Sequence, residues 1–263
     1  VSADALLKTS GLVKRFGGLL ATDHVSLAVQ SKEVHALIGP NGAGKTTLIG
    51  QLTGELIPDE GSVLFAGADV TRESVDSRSR RGLARSYQIT QIFKDFTALE
   101  NVMMSVMAAD DQHGARRTGT SWNAWQALHA DTPTTEQAWH WLETAGLKAS
   151  AHIPTAVLAH GEHRQLELAM ALALKPRLLV LDEPLAGMSK AESEIMVQLL
   201  QGLRGDYPML LVEHDMTAVF ALADTISVLV YGKVIASGRP DEIRNSAEVR
   251  NAYLGEEDQA EHV

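Results

Sequence analysis

Gly39-Pro40-Asn41-Gly42-Ala43-Gly44-Lys45-Thr46 follows the apolar run Val34 to Gly39 and precedes a helix-forming stretch from Thr46 to about Thr53. A GxxxxGK[ST] spacing between a strand and a helix is an arrangement that cradles nucleotide phosphates. Glycines let backbone N–H groups close around phosphate oxygens, and the helix N-terminus adds partial positive charge. Lys45 then reaches the β- and γ-phosphates, and Thr46 ligates Mg2+. A second chemical site is Leu178 to Asp182 followed by Glu183. An aspartate closing a buried strand beside such a loop can hold magnesium, usually through water, while the adjacent glutamate orients and deprotonates the attacking water. Read alone, the same acidic pair could simply cap the next helix.

These residues must be positioned by βα units. Leu178 to Asp182 is a continuous apolar run, as in a strand buried on both faces. After it, Ser189-Lys190-Ala191-Glu192 has capping-box spacing and opens an apolar-periodic helix predicted to reach Gly202 or Gly205. Met209 to Glu213 is the next strand, and Ile226 to Tyr231 with Val234 to Ala236 is predicted as a hairpin around Gly232-Lys233. The βα alternation dominates both ends and implies a doubly wound α/β sheet. From about Ile89 to Lys175 helical patterning replaces strand patterning, so a helical lobe is expected there, with loops at His113 to Thr120 and Ala130 to Thr135. All four tryptophans, Trp122, Trp125, Trp139 and Trp141, fall inside it and are expected to pack its core.

The chain has 263 residues, 45% of them apolar and 21% charged, which fits an ordinary globular protein. Without cysteine, disulfide scaffolds, cysteine metal sites and thiol nucleophiles are excluded. A charge of −10 disfavours general nucleic-acid binding. Arg78, Arg80, Arg81 and Arg85 are accordingly read as a solvated, partly structural basic segment. The longest apolar run, Leu168 to Leu174, is seven residues, against about 20 for a membrane-spanning helix. No secretory signal is visible in the first 30 residues, so a cytoplasmic address is expected.

The motifs together resemble the ATP-binding subunits of ABC transporters over almost the whole chain. The resemblance implies a single P-loop NTPase domain, 1–263, with an inserted helical subdomain at about 89–175 and an antiparallel β subdomain. It implies ATP and Mg2+, with Asn41, Gly42, Ala43, Gly44, Lys45, Thr46 and Thr47 on the nucleotide and Thr46, Gln88 and Asp182 at the metal. It places Phe16 against the adenine, Gln88 at the magnesium and nucleophilic water, and His214 near the γ-phosphate beside Glu183. The family's LSGGQ segment, which presses on the γ-phosphate of an opposite subunit, reads Leu158-Ala159-His160-Gly161-Glu162 here. Gly161 is retained, and Ala159 replaces the serine. Ser189 stands where the family usually has an aspartate or asparagine at the dimer seam.

Local phrases such as Arg85-Ser86-Tyr87-Gln88, Phe93 to Val102, Gly161 to Leu168 and Tyr253-Leu254-Gly255-Glu256 look most like importers of branched-chain amino acids and related amide solutes. The resemblance therefore implies separate membrane subunits, an extracytoplasmic solute-binding protein, no nucleic acid, and a peripheral location on the cytoplasmic face of the inner (plasma) membrane. It also implies a second ATP-binding subunit. Ala159 favours a heterodimer over a homodimer, because a homodimer would weaken both nucleotide sites. The alternatives are the ATPase of a lipid or lipopolysaccharide exporter, a soluble ABC ATPase outside transport, and a regulatory nucleotide-binding module without turnover.

Overall fold

The computed structural model describes residues 5–85, 92–112 and 132–251. The chain enters through antiparallel strands rather than a βα unit: β1 (Ala5–Phe16), β2 (Leu19–Val25) and β3 (Ala28–Gln30). The first βα unit is β4 (Val34–Ile38) with α1 (Lys45–Thr53). Strands β5 (Glu60–Phe65) and β6 (Ala68–Asp69) then return to the antiparallel sheet, whose order is β2-β1-β5-β6 with β3 also on β1. Helix α2 (Val75–Arg80) leads to β7 (Leu83–Arg85).

Three longer helices follow, α3 (Ala98–Gln112), α4 (Thr132–Thr144) and α5 (His160–Ala173). Helix α4 corrects the loop expected at Ala130 to Thr135. Pro133 is compatible with a helix start there, since a first-turn N–H lacks an intrahelical acceptor in any case. The chain closes with β8 (Leu178–Asp182), α6 (Lys190–Leu203), β9 (Met209–Val212), α7 (Met216–Leu222), β10 (Thr225–Val230), β11 (Lys233–Gly238) and α8 (Pro240–Asn245). Among the described residues no helix is long and apolar enough to cross a membrane.

The second sheet has the order β11-β10-β4-β9-β8-β7, parallel throughout except for the β10–β11 hairpin. Its central strands are buried on both faces, with side chains dividing by the two-residue strand period. Leu179, Leu181, Met209 and Leu211 face the core shared with α3 to α6, while Leu178, Val180, Leu210 and Val212 face α1 and the antiparallel sheet. Helix α1 is thereby clamped between two sheets, which explains its unbroken buried stretch from Leu48 to Thr53. Buried Gln51 is satisfied: Thr22 Oγ1 donates to its Oε1 at 3.0 Å, and its Nε2 donates to the Val13 carbonyl at 3.3 Å.

Two arginines depart from the solvated basic segment that the sequence suggested. Arg78 is fully buried and donates to the carbonyls of Gln51, Leu52, Thr71 and Glu73 at 2.6–3.2 Å, satisfying the C-terminal end of α1. Arg85 is also buried and pairs with two acids. The hairpin turn lies one residue earlier than expected, at Tyr231-Gly232, because Lys233 already pairs with Val230. Both turn residues have positive φ, 47° and 78°, as a two-residue turn matched to the strand twist requires. Trp141 packs in the helical core, and Trp139 lies edge-on to His152. Trp122, Trp125 and the His113 to Thr120 loop lie outside the described residues.

Candidate nucleotide-binding site

β4 ends at the phosphate loop, and α1 begins within it. Gly44 occupies the N-cap position with φ 102°, and no side chain caps the helix, so the first-turn N–H groups are left to an external acceptor. Glycine is required by space as well as by φ, since a Cβ at Gly44 would sit 2.2 Å from the Ala21 carbonyl oxygen. The loop is held from outside: Gly232 N–H donates to the Ala43 carbonyl, and Asp23 N–H donates to the Gly232 carbonyl, both at 2.8 Å. Lys45 Nζ arches over the loop and donates to the Gly39 and Pro40 carbonyls at 2.6 and 2.9 Å.

Asn41 to Thr47 line a cleft of about 500 Å³, together with Phe16, Leu19, Leu20 and Ala21 from the β1–β2 turn, Glu183, and Tyr231 with Gly232. That volume falls within the range of small-molecule sites. Of the lining side chains, Phe16 is half exposed and Tyr231 largely exposed. The sequence had marked Tyr231 only as the end of a hairpin strand. Nothing in its local pattern linked that turn to the loop some 190 residues earlier.

Glu183 follows β8 with φ 49°, a conformation uncommon for a residue with a side chain. Its N–H is held by the Val212 carbonyl at 2.8 Å, and its own carbonyl accepts from Ala186 N–H at 3.1 Å. Such locally strained backbone, over-determined by its neighbours, is concentrated at functional sites. Asp182, one residue earlier, does not line the cleft and is paired with Arg85. His214 lies just past β9, and its ring is exposed with Nδ1 3.9 Å from Glu213 Oε2. Glu213 itself is buried, which pushes its carboxyl up against the pull of N–H groups from Leu185, His214 and Asp215. Gln88 lies outside the described residues.

Gly161 lies in the first turn of α5 and outside the cleft. Ala159 is the N-cap of that helix, and lacking a hydroxyl it leaves only the reciprocal half of a capping box, with Glu162 Oε2 accepting from Ala159 N–H at 2.9 Å. Gly161 N–H donates to Glu192 Oε1 at 3.1 Å. Glu192 also accepts from Ser189 N–H at 2.8 Å, while Ser189 Oγ caps α6 as the sequence predicted. Hydrogen bonds from Ser189 and then Gly161 hold the Glu192 carboxyl below its usual range. The segment holding Gly161 and the one following Glu183 are thereby tied within a single chain.

A family model described as "ABC transporter" matches residues 22–186, and one described as "Branched-chain amino acid ATP-binding cassette transporter" matches residues 233–259. The chain is 37% identical over 256 residues to the high-affinity branched-chain amino acid transport ATP-binding protein BraF of Pseudomonas aeruginosa, covering 95% of this chain and 98% of that one. The LivG protein of Escherichia coli, of the same description, is 36% identical with the same coverage. A crystal structure of the ADP conformation of an ATP-binding cassette of an ABC transporter superposes with a TM-score of 0.81 at 28% identity, covering 95% of this chain and 99% of that one. A nucleotide-free cassette gives 0.79 at 29% identity, covering 95% and 98%.

Proposed function

Because the chain belongs to the ATP-binding proteins of ABC transporters, of the branched-chain amino acid type, we propose that it is the subunit that binds and hydrolyses MgATP to power import of such amino acids. The observation that carries the reading is the single cleft in which an uncapped helix N-terminus, Lys45 and Glu183 converge. In this reading Phe16 supports the adenine, Asn41 to Thr47 and Lys45 hold the phosphates, and Glu183 takes the proton of the attacking water. Gln88 and His214 complete the γ-phosphate end. Thr46 in the first turn of α1 and Asp182 at the end of β8 are hard oxygen donors, a set that suits Mg2+ shared with substrate phosphates rather than caged by protein alone. Held by Thr46 and Asp182, Mg2+ would supply the positive charge that offsets negative charge developing on the phosphates.

We read the chain as one ATPase domain, 1–263, in which helices α3 to α5 belong to a helical subdomain inserted at about 89–175. It would sit peripherally on the cytoplasmic face of the membrane, with membrane subunits and an extracytoplasmic solute-binding protein supplied by other chains. Support for a membrane-subunit contact comes from exposed Phe93, Ile153 and Val157, large apolar side chains on two segments bonded to each other through the Phe96 and Lys94 carbonyls. Vesicles carrying the assembled transporter should take up leucine only when ATP is present on this subunit's side. Val157→Asp should cut uptake and co-purification with the membrane subunits while leaving nucleotide affinity within about twofold, since it charges an exposed apolar side chain that does not line the cleft. Uptake of no branched-chain amino acid by an assembly that hydrolyses ATP would overturn the solute assignment.

The second ATP-binding subunit is expected to differ from this one. Ala159 cannot donate a hydroxyl hydrogen bond to a phosphate across a head-to-tail dimer, a loss worth about 1.5–3 kcal/mol for a charged acceptor. Ala159→Ser should raise turnover roughly tenfold or more in a homodimer and change it little in a heterodimer whose dominant site is already closed by the partner. In either case the hydroxyl also caps α5, adding about 1 kcal/mol of stability. A large gain in the isolated chain, with self-association on ATP addition, would replace the heterodimer by a homodimer.

A further inference from the structure

Arg85, the last residue of β7, places its guanidinium between two acids from different elements. Nη1 donates to Glu55 Oε1 at 2.5 Å, and Nη2 donates to Asp182 Oδ2 at 2.7 Å. The arginine side chain is 10% exposed, and its buried Nε has no hydrogen-bond partner among the described residues. Arg78 provides the comparison within the same fold: its three nitrogens all reach backbone carbonyls, as in an anchor that ties down chain. Arg85 instead commits both terminal nitrogens to side-chain carboxylates, an arrangement that fixes carboxylate position.

The elements joined are informative. Glu55 follows the C-cap of α1, the helix that begins in the phosphate loop. Asp182 ends β8, and Arg85 pairs in parallel register with Val180, so its side chain reaches forward along the sheet to Asp182. The residue after Arg85 opens the segment in which Gln88 falls. We propose that Arg85 is a positioning residue for the Mg-nucleotide complex: by holding one carboxylate oxygen of Asp182 it fixes the orientation in which the other serves the hydrated metal, and Glu55 fixes Arg85 in turn. The inference rests on the nucleotide-binding reading above and extends it to a residue that touches neither nucleotide nor metal. A lysine cannot substitute fully, because one ammonium on a flexible stem lacks the planar fork that spans two carboxylates.

The test is nucleotide binding by the full chain, using a fluorescent ATP analogue titrated in EDTA and at graded Mg2+ concentrations, with thermal midpoints recorded for each variant. Arg85→Met should leave affinity in EDTA within about twofold and raise the Mg2+ concentration for half-maximal enhancement about tenfold or more, as expected when a group orienting a metal ligand is lost. Arg85→Lys should recover part of the shift, and Glu55→Gln should produce a smaller shift of the same sign. Should Arg85→Met fail to fold, the lysine and Glu55 variants carry the test by the same Mg2+ midpoint. An unmoved midpoint with only a lowered thermal midpoint would reduce Arg85 to a structural anchor, and a lowered Mg2+ midpoint would make it a competitor of the metal; either result overturns the proposal. Asp182→Asn separates the two levels. If it retains full Mg2+ enhancement, the metal role of Asp182 fails and this inference with it; if it abolishes enhancement while Arg85→Met is silent, the inference alone fails.

Discussion

Glu183→Gln leaves MgATP bound and lowers turnover of the assembled transporter by about 10²–10⁴-fold, the range supplied by a positioned general base. Glutamine keeps the length and hydrogen-bonding reach of the side chain and loses the capacity to accept a proton. The backbone that aims it is independent of the carboxylate: φ is 49°, and the peptide is fixed by the Val212 carbonyl on one side and Ala186 N–H on the other. The variant should therefore fold with the wild-type geometry, and its deficit should be confined to chemistry. Nucleotide titration beside steady-state hydrolysis checks the separation. Hydrolysis near the wild-type rate would remove Glu183 from the role of base.

Lys45→Met weakens nucleotide affinity by about 10–100-fold, because a hydrogen bond to a charged group is worth about 1.5–3 kcal/mol and each 1.4 kcal/mol is tenfold. Methionine preserves most of the stem that crosses the loop. In the wild type the ammonium is held over the loop by the Gly39 and Pro40 carbonyls, so a phosphate meets a charge already in place. Loss of two bonds to loop carbonyls should change thermal stability far less than it changes binding. Equal affinities for wild type and variant would assign phosphate recognition to the loop N–H groups and helix dipole alone.

What was legible in the sequence was what leaves a local or periodic trace. Strand β8, the end of β4, the phosphate loop and the Ser189 cap were all readable, because doubly buried strands are continuous apolar runs and caps have fixed spacing. The entry strands were harder. β1, Ala-Leu-Leu-Lys-Thr-Ser-Gly-Leu-Val-Lys-Arg-Phe, breaks alternation between Ser10 and Arg15, where its pairings with β5 and then β2 shift register. An antiparallel subdomain was implied by the family resemblance alone, without assignment to these residues. Arg78 and Arg85 read as solvated because charge alone predicts exposure, whereas their acceptors lie 5 to 27 and 30 to 97 residues away. Likewise, the bond between Gly161 and Glu192 and the closeness of Tyr231 to the phosphate loop arise from the packing of distant elements, which no single stretch of sequence records.

The fastening of the phosphate loop by Gly232 has a consequence for modularity. Every residue of the GxxxxGK[ST] motif lies within eight consecutive positions, yet the bonds that hold Ala43 and Asp23 come from the turn of the last hairpin. A fragment ending before β10 would retain the entire motif and the antiparallel sheet while losing the clasp that presets the loop. Phosphate binding in such a fragment would first have to order a glycine-rich segment, at a conformational cost of roughly 1–2 kcal/mol for each residue newly fixed. The smallest unit able to hold a nucleotide firmly is therefore set by the chain's closing strands, and the motif is only one half of a two-part fastener.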